Sequence, residues 1–145
     1  MISRVTFVKL MAASVQDDNM GKFSRSKGAA FERFVVNEIK DHLGYKDVRR
    51  NLSQYQVSDQ ADIVIPDWSV ECKRYATATP SQISEFWDQC VGSANGLNPV
   101  LIYKLDRRDP ICRVFLSVIS QDFEGTDLTA DISMDGWFYL VRERI

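Results

Sequence analysis

The apolar positions of the chain repeat with a helical period in two segments. In residues 24–43 they form one continuous stripe, which predicts an amphipathic helix with Ser24 or Ser26 as its N-cap. Gly44 directly follows this segment, as is typical of a helix C-terminus. The second segment spans residues 80–94 and predicts a shorter helix.

Outside these helices the apolar residues alternate with polar ones or form short β-branched runs, both typical of strands. Two such runs surround Pro66-Asp67, a turn dipeptide, and predict an antiparallel hairpin over residues 61–74. Further strands are predicted at residues 46–52, 100–105, 111–119 and 137–141. This order of elements predicts a single α/β domain, in which helices flank a mixed β-sheet.

The register of the hairpin decides which side chains share a face. A two-residue turn sets Asp62 opposite Glu71, whereas a four-residue turn sets it opposite Lys73. In both registers the three side chains project from one face, where opposed Cβ atoms are about 5 Å apart. Two carboxylates at that distance destabilise a sheet unless a cation lies between them, and Mg²⁺ prefers such oxygen ligands. A solvated face with three exposed charges is the alternative that this pattern leaves open.

Glu32 lies near the middle of the apolar stripe of the first helix, beside Val35, Val36 and Ile39. A buried carboxylate costs free energy unless it is paired or binds a metal. A functional or ion-paired side chain is therefore one of two interpretations that the position leaves open. A partly exposed glutamate near the helix N-terminus, stabilised by the macrodipole, is the alternative.

The composition argues against several classes of enzyme. His42 is the one histidine and the chain has no Cys-x-x-Cys pair, which disfavours Ser-His-Asp and Cys-His hydrolases and zinc sites. The three cysteines, Cys72, Cys90 and Cys112, are widely spaced and indicate buried free thiols in a reducing compartment. No apolar run approaches the roughly 18 residues of a membrane span. Catalysis would therefore depend on carboxylates, lysine and a metal.

The net charge of −2 hides an uneven distribution. Residues 22–113 carry 14 Lys and Arg against 12 Asp and Glu, whereas residues 114–145 carry two against six. Local basic clusters matter more to a phosphate backbone than the total charge does. The clusters are Lys22, Arg25 and Lys27; Lys46, Arg49 and Arg50; Lys73 and Arg74; and Lys104, Arg107 and Arg108.

Residues 1–20 show no sustained period and end at Met20-Gly21, a second plausible start. They are predicted to be an N-terminal extension that is poorly packed or ordered only against a partner. Residues 21–145 then form the domain itself. A signal peptide is disfavoured because Lys9 interrupts the apolar stretch and no clear cleavage site follows.

Several of these residues together resemble the PD-(D/E)xK nuclease superfamily, most closely its archaeal- and phage-type Holliday junction resolvases. The resemblance covers roughly residues 24–105. The chain departs from the pattern at Ala61, where the family has a proline, and in the loop NLSQYQVSDQ, which has no glycine. The matching residues are Lys27, Gly28, Glu32 and Arg33 of a KGxxxER motif, then Val48, Arg49, Ser53, Asp62 and the ExK of Glu71-Cys72-Lys73.

The resemblance implies a restriction-endonuclease-like fold and a Mg²⁺-dependent endonuclease, with Mn²⁺ as a substitute. It implies that Glu32, Asp62 and Glu71 are metal ligands and that Lys73 is the catalytic lysine. The expected substrate is branched DNA, a four-way junction, cut by a homodimer in the cytoplasm of a prokaryote or of a phage host, with no membrane association. The expected DNA-binding residues are Lys27, Arg33, Arg49, Arg50, Ser53 and Arg74.

The sequence leaves two other functions open. One is an endonuclease of the same superfamily with another specificity, such as nicking, restriction-like or repair activity. The other is a catalytically silent DNA-binding protein on this fold. The complete set of three carboxylates and one lysine argues against the silent protein, but it does not separate the two kinds of nuclease.

Overall fold

The computed structural model describes residues 15–51 and 60–143, with side chains from residue 25 onward. In this part of the chain three helices cover a five-stranded mixed sheet. The predicted α/β class is confirmed, and the arrangement is consistent with a restriction-endonuclease-like fold. The helices are α1 (Val15–Leu43), α2 (Pro80–Gly92) and α3 (Met134–Glu143). The strands are β1 (Ile63–Ile65), β2 (Trp68–Tyr75), β3 (Asn98–Leu105), β4 (Ile111–Phe115) and β5 (Thr129–Ser133).

The strands lie in the sheet in their order along the chain. β2 and β3 are parallel and are connected through α2, whereas the other neighbouring strands are antiparallel. The carboxyl ends of β2 and β3 therefore meet at one edge of the sheet. The β2–α2 loop and the β3–β4 turn lie together at this edge, since the N–H of Asp106 donates to the carbonyl of Ala76.

Each face of the sheet is covered by helices. On one face α1 and α3 bury the larger part of the core, including Cys72 of β2. On the other face α2 packs Trp87 and Cys90 against β3. Because side chains alternate along a strand, Glu71 and Lys73 project to the face opposite that of Cys72.

The first helix is longer than predicted. α1 begins at Val15, so Ser24 and Ser26 lie inside it and the predicted N-cap is wrong. Residues 15–23 contain no proline, so every residue keeps the backbone N–H that the helix needs. The predicted end is confirmed: Gly44 follows with φ of 76°, and its N–H donates to the carbonyl of Lys40. α1 runs across the proposed domain boundary at residue 21, which stays a prediction, and residues 1–14 lie outside the described residues.

The predicted strand at residues 137–141 is wrong, because this segment lies in α3. Its aromatic and β-branched residues favour a strand by composition. Its buried residues, however, repeat at helical intervals that the short run does not reveal. They are Met134, Trp137, Phe138 and Val141.

Two other strand boundaries also differ from the prediction. Within the described residues 46–51 there is no strand, and a turn occupies residues 46–47. Residues 111–119 form β4 only as far as Phe115, after which Leu116–Val118 is a 3₁₀ helix. The acidic stretch 121–136, which has little pattern, contains a 3₁₀ helix at Gln121–Phe123 and the edge strand β5.

Candidate active site

The hairpin of β1 and β2 has the two-residue turn that its sequence allows. Ile63 pairs with Val70, and the four-residue alternative is excluded. Extended by one residue, this register sets Asp62, which directly precedes β1, opposite Glu71. Asp67 adopts a φ of 71° in the turn, a conformation that aspartate tolerates better than most residues.

Asp62 is buried and held by backbone hydrogen bonds on both sides. Its Oδ2 accepts a 2.7 Å bond from the N–H of Cys72, and its carbonyl accepts a 2.7 Å bond from the N–H of Asn51. Burial, followed by the charge of Glu71, raises the pKa of Asp62 to about 8, against the lowering effect of the Cys72 hydrogen bond. The ionised carboxylate therefore lacks a sufficient counter-charge.

Glu71 and Lys73 are half-buried neighbours on β2. Burial raises the pKa of Glu71 to about 6, and the ammonium of Lys73 opposes this rise. The Lys73 Nζ lies 3.8 Å from Oε2 of Glu71 and 5.2 Å from the ring centroid of Phe86 on α2. The ammonium is thus held between a carboxylate and an aromatic face.

Glu32 reaches the same region from α1. It is 8% exposed, so the prediction of a buried carboxylate is confirmed and the partly exposed alternative is wrong. Its charge raises the pKa of both Asp62 and Glu71, which places the three carboxylates within electrostatic reach of one another. Nε of Arg50 donates a 2.8 Å hydrogen bond to Oε1 of Glu32. Arg50, predicted as a DNA contact, is therefore the ion-pair partner of this buried acid.

Among the residues that the structure describes, no group of three or more His, Cys, Asp or Glu side chains is arranged to hold a metal ion. Asp62 and Glu71 nevertheless fit a hard divalent cation by their chemistry. They are adjacent carboxylates. Burial, followed by the charge of Glu71, raises the pKa of Asp62, and burial together with the charge of Glu32 raises the pKa of Glu71; a divalent cation would relieve this repulsion. Glu32 is the third acidic side chain beside them and is bound to Arg50.

Two of the predicted DNA contacts bind an aspartate that the sequence did not single out. Nζ of Lys27 and Nη2 of Arg74 lie 3.2 Å and 2.8 Å from Oδ1 of Asp106, at the end of β3. The hydrogen bonds from Arg74 and then from Lys27 lower the pKa of Asp106. No sequence signal links Asp106 to Lys27, which is 79 residues away. Packing of α1 against the sheet brings Lys27 to Asp106, whereas the parallel register of β2 and β3 places Arg74 beside Lys104, two residues before Asp106.

The remaining predicted DNA contacts divide into exposed and undescribed residues. Arg33 and Arg49 are exposed, on α1 and on the segment that follows it. Ser53 lies outside the described residues. Phe86, which packs against Lys73, was missed because an aromatic residue on an apolar helix face is indistinguishable in sequence from ordinary core.

One comparison with known proteins identifies a family. The model of the family described as phage putative PDDEXK endonuclease matches residues 23–131, which include the hairpin, Glu32 and Lys73. No curated protein and no solved structure matches the chain significantly. Within the described part of the chain, no helix has the length and apolar character needed to cross a bilayer.

Proposed function

The chain belongs to this family of phage PDDEXK endonucleases, and we propose that it hydrolyses DNA phosphodiester bonds with a divalent metal ion held at Asp62 and Glu71. The observation that carries the proposal is the pair of opposed, poorly compensated carboxylates with the Lys73 ammonium beside them. We propose Mg²⁺ as the ion and Mn²⁺ as its substitute, since every donor is a carboxylate oxygen.

Each side chain has a distinct role in the proposed reaction. When bound, a divalent ion supplies Lewis-acid polarisation of the scissile phosphate and lowers the pKa of the attacking water. The N–H of Cys72 orients the Asp62 carboxylate. Lys73 places a positive charge where negative charge develops on the phosphate, and one preorganised donor of this kind is worth about 10²–10³ in rate.

The surrounding basic side chains bind the DNA or hold other side chains in position, and they take no part in the chemical step. Arg50 compensates Glu32 and so holds the third carboxylate in place. Arg33 and Arg49 are exposed and suited to contact the DNA backbone, which orients a substrate without reading its sequence.

We further propose that the substrate is branched DNA, a four-way junction, and that the protein acts as a homodimer. The support is the resemblance of the KGxxxER, Asp and ExK residues to junction resolvases. A four-way junction must be cut twice at positions related by two-fold symmetry, and two identical subunits present two identical sites in that relationship.

The test is to incubate the protein with a four-way junction, a nicked duplex and a linear duplex, each with Mg²⁺, Mn²⁺ or EDTA. We expect cleavage only with metal, fastest on the junction, and none by Asp62→Asn or Glu71→Gln. Preferred cutting of either duplex would assign another specificity. Cleavage by Asp62→Asn at the wild-type rate would refute the metal assignment, and DNA binding without cleavage of any substrate would support a silent DNA-binding protein.

A further inference from the structure

A groove of about 860 Å³ opens at the edge of the sheet where β2 and β3 end. One wall is the β2–α2 loop with the first turn of α2, and the other wall is the β3–β4 turn. Ile83 and Leu105 contribute apolar surface, whereas Arg107 and Arg108 line the side of the turn. The groove is thus a concave surface with two guanidinium groups on one wall.

The β3–β4 turn that carries these arginines is anchored to the rest of the domain. Asp106 binds both Lys27 of α1 and Arg74 of β2, and its N–H donates to the carbonyl of Ala76. Arg107 adopts a φ of 63°, in the left-handed region that most side chains avoid. The turn therefore has a defined conformation and position relative to β2, the strand that carries Glu71 and Lys73.

The arginines of this turn differ from Lys27 and Arg74 in their electrostatic environment. Asp106 compensates Lys27 and Arg74, whereas Arg107 and Arg108 are exposed and have no ion-pair partner among the residues that the structure describes. The first turn of α2, whose N-cap is Thr79, adds the positive end of its dipole to the opposite wall. The exposed Asp109 lines the same wall as the two arginines, so this wall carries two guanidinium groups against one further carboxylate and keeps a net positive charge.

The distance between this groove and the candidate active site matches a stretch of one DNA strand. Leu105 pairs with Tyr75, which lies four residues beyond Glu71 on β2. At about 3.3 Å per residue, this separation is about 13 Å. Phosphates of one strand advance about 3.4 Å along the axis of duplex DNA. Because the strand also winds around this axis, neighbouring phosphates are about twice that far apart through space, and the separation corresponds to about two nucleotides.

We propose that Arg107 and Arg108 bind the DNA backbone about two nucleotides from the scissile phosphate. The inference rests on the proposed function, since it takes DNA as the substrate of the nearby carboxylates. Arg107 and Arg108, rather than Lys27 and Arg74, are then the main phosphate contacts at this edge of the sheet. Lys27 and Arg74 are positioning residues, which hold the turn through Asp106. Contacts of this kind add affinity and register without sequence preference.

The first test compares two double variants that lose the same charge. Arg107→Gly with Arg108→Ala removes both guanidinium groups, and glycine suits the φ of 63° at residue 107, so the turn is retained. Lys40→Ala with Arg142→Ala is the control, since both are exposed residues near the far end of α1. Equal melting temperatures for the two variants confirm that the turn variant is folded.

Binding is measured by fluorescence anisotropy with a labelled linear duplex and a four-way junction, in EDTA and over a range of salt. We expect the turn variant to lose affinity on both DNAs and its log–log salt slope to shrink by about 1.8, as two lost phosphate contacts require. The affinity and the salt slope of the control variant should change far less. Equal affinities and slopes for the two variants would overturn the inference.

A second test locates the contact. Single phosphates are replaced by neutral methylphosphonates at increasing distance from the mapped cut. We expect the wild-type protein to lose affinity when a phosphate about two nucleotides away is neutralised, and the turn variant to be insensitive there. The same loss in both proteins would refute the contact. A failure of the proposed function would show in a different measurement, namely cleavage by Asp62→Asn at the wild-type rate.

Discussion

The N–H of Cys72 donates a 2.7 Å hydrogen bond to Oδ2 of Asp62, which joins the acid before β1 to the middle residue of the ExK tripeptide on β2. The bond fixes one oxygen of a carboxylate that is otherwise buried beside two other acids. The hydrogen bond orients the Asp62 carboxylate, which lies opposite Glu71. The positive charge nearby does not balance the negative charges of the three acids.

The first prediction concerns pH. Asp62 is surrounded by Glu71, Glu32, Lys73 and the Cys72 N–H, and its pKa is about 8 in the folded protein against the ordinary aspartate value of 3.8. Between these values the folded state binds more protons than the unfolded state, so the free energy of unfolding falls as pH rises. We expect the melting temperature of the protein in EDTA to fall from pH 5 to pH 8.

Asp62→Asn should remove much of that decline, because the amide does not titrate. A gain of 1 kcal/mol corresponds to about 2–5 °C for a domain of this size, so the variant should melt several degrees above wild type at pH 8. Asp109→Asn, at an exposed aspartate, is the control. Parallel pH profiles for wild type and Asp62→Asn would contradict the burial of an uncompensated charge.

A second prediction concerns metal binding and is independent of activity. A ligand that binds the folded state alone raises its stability, by about 2.7 kcal/mol at a concentration of 100 Kd. We expect Mg²⁺ and Mn²⁺ to raise the melting temperature of the wild-type protein at pH 8. Asp62→Asn and Glu71→Gln should abolish this shift. An undiminished shift in both variants would place the metal elsewhere.

A third prediction separates binding from chemistry at Lys73. Its ammonium contacts Glu71 and the Phe86 ring but is not a proposed metal ligand. We expect Lys73→Ala to keep the thermal shift with Mg²⁺ and the affinity for DNA, and to lose about 10²–10³ in the single-turnover cleavage rate. Phe86→Leu should reduce the rate only about two- to fivefold, as the loss of a cation–π contact implies. A Lys73→Ala variant that cuts normally would exclude the assigned role.

A fourth prediction contrasts two adjacent arginines. Arg50 is the partner of buried Glu32, whereas Arg49 is exposed. Arg50→Ala leaves a buried carboxylate without its guanidinium partner. Such a change lowers the free energy of unfolding by about 3–5 kcal/mol at fully buried pairs, and by less here because Arg50 is partly exposed. We expect it to lower the melting temperature measurably at pH 8.

Arg49→Ala should leave the melting temperature within about 2.5 °C of wild type, since exposed substitutions rarely exceed about 0.5 kcal/mol. It should instead weaken binding to every DNA sequence tested and reduce the salt slope by about 0.9. Exchanged phenotypes, with Arg49→Ala destabilised and Arg50→Ala normal, would mean that the two side chains are assigned to the wrong roles.

The local features of the candidate site could be predicted from the sequence. Pro66-Asp67 and the flanking β-branched runs predict a hairpin, and the period of two places Asp62 on one face with Glu71 for a two-residue or a four-residue turn. The structure has the two-residue turn. The helical stripe likewise places Glu32 among apolar residues, and the structure decides that it is buried and not partly exposed. These predictions succeed because both depend on periods that a few consecutive residues define.

The partners of the charged side chains were decided only by the tertiary structure. Arg50 binds Glu32, and Asp106 binds Lys27 and Arg74, because the packing of α1 and the parallel pairing of β2 with β3 bring distant segments together. The helical state of α3 was decided in the same way. Its aromatic run has strand propensity, but burial of Trp137 and Phe138 against the sheet favours the helix. Local sequence determines periodicity and turns. Contacts between residues far apart along the chain leave no repeating pattern in the sequence, so only the tertiary structure reveals them.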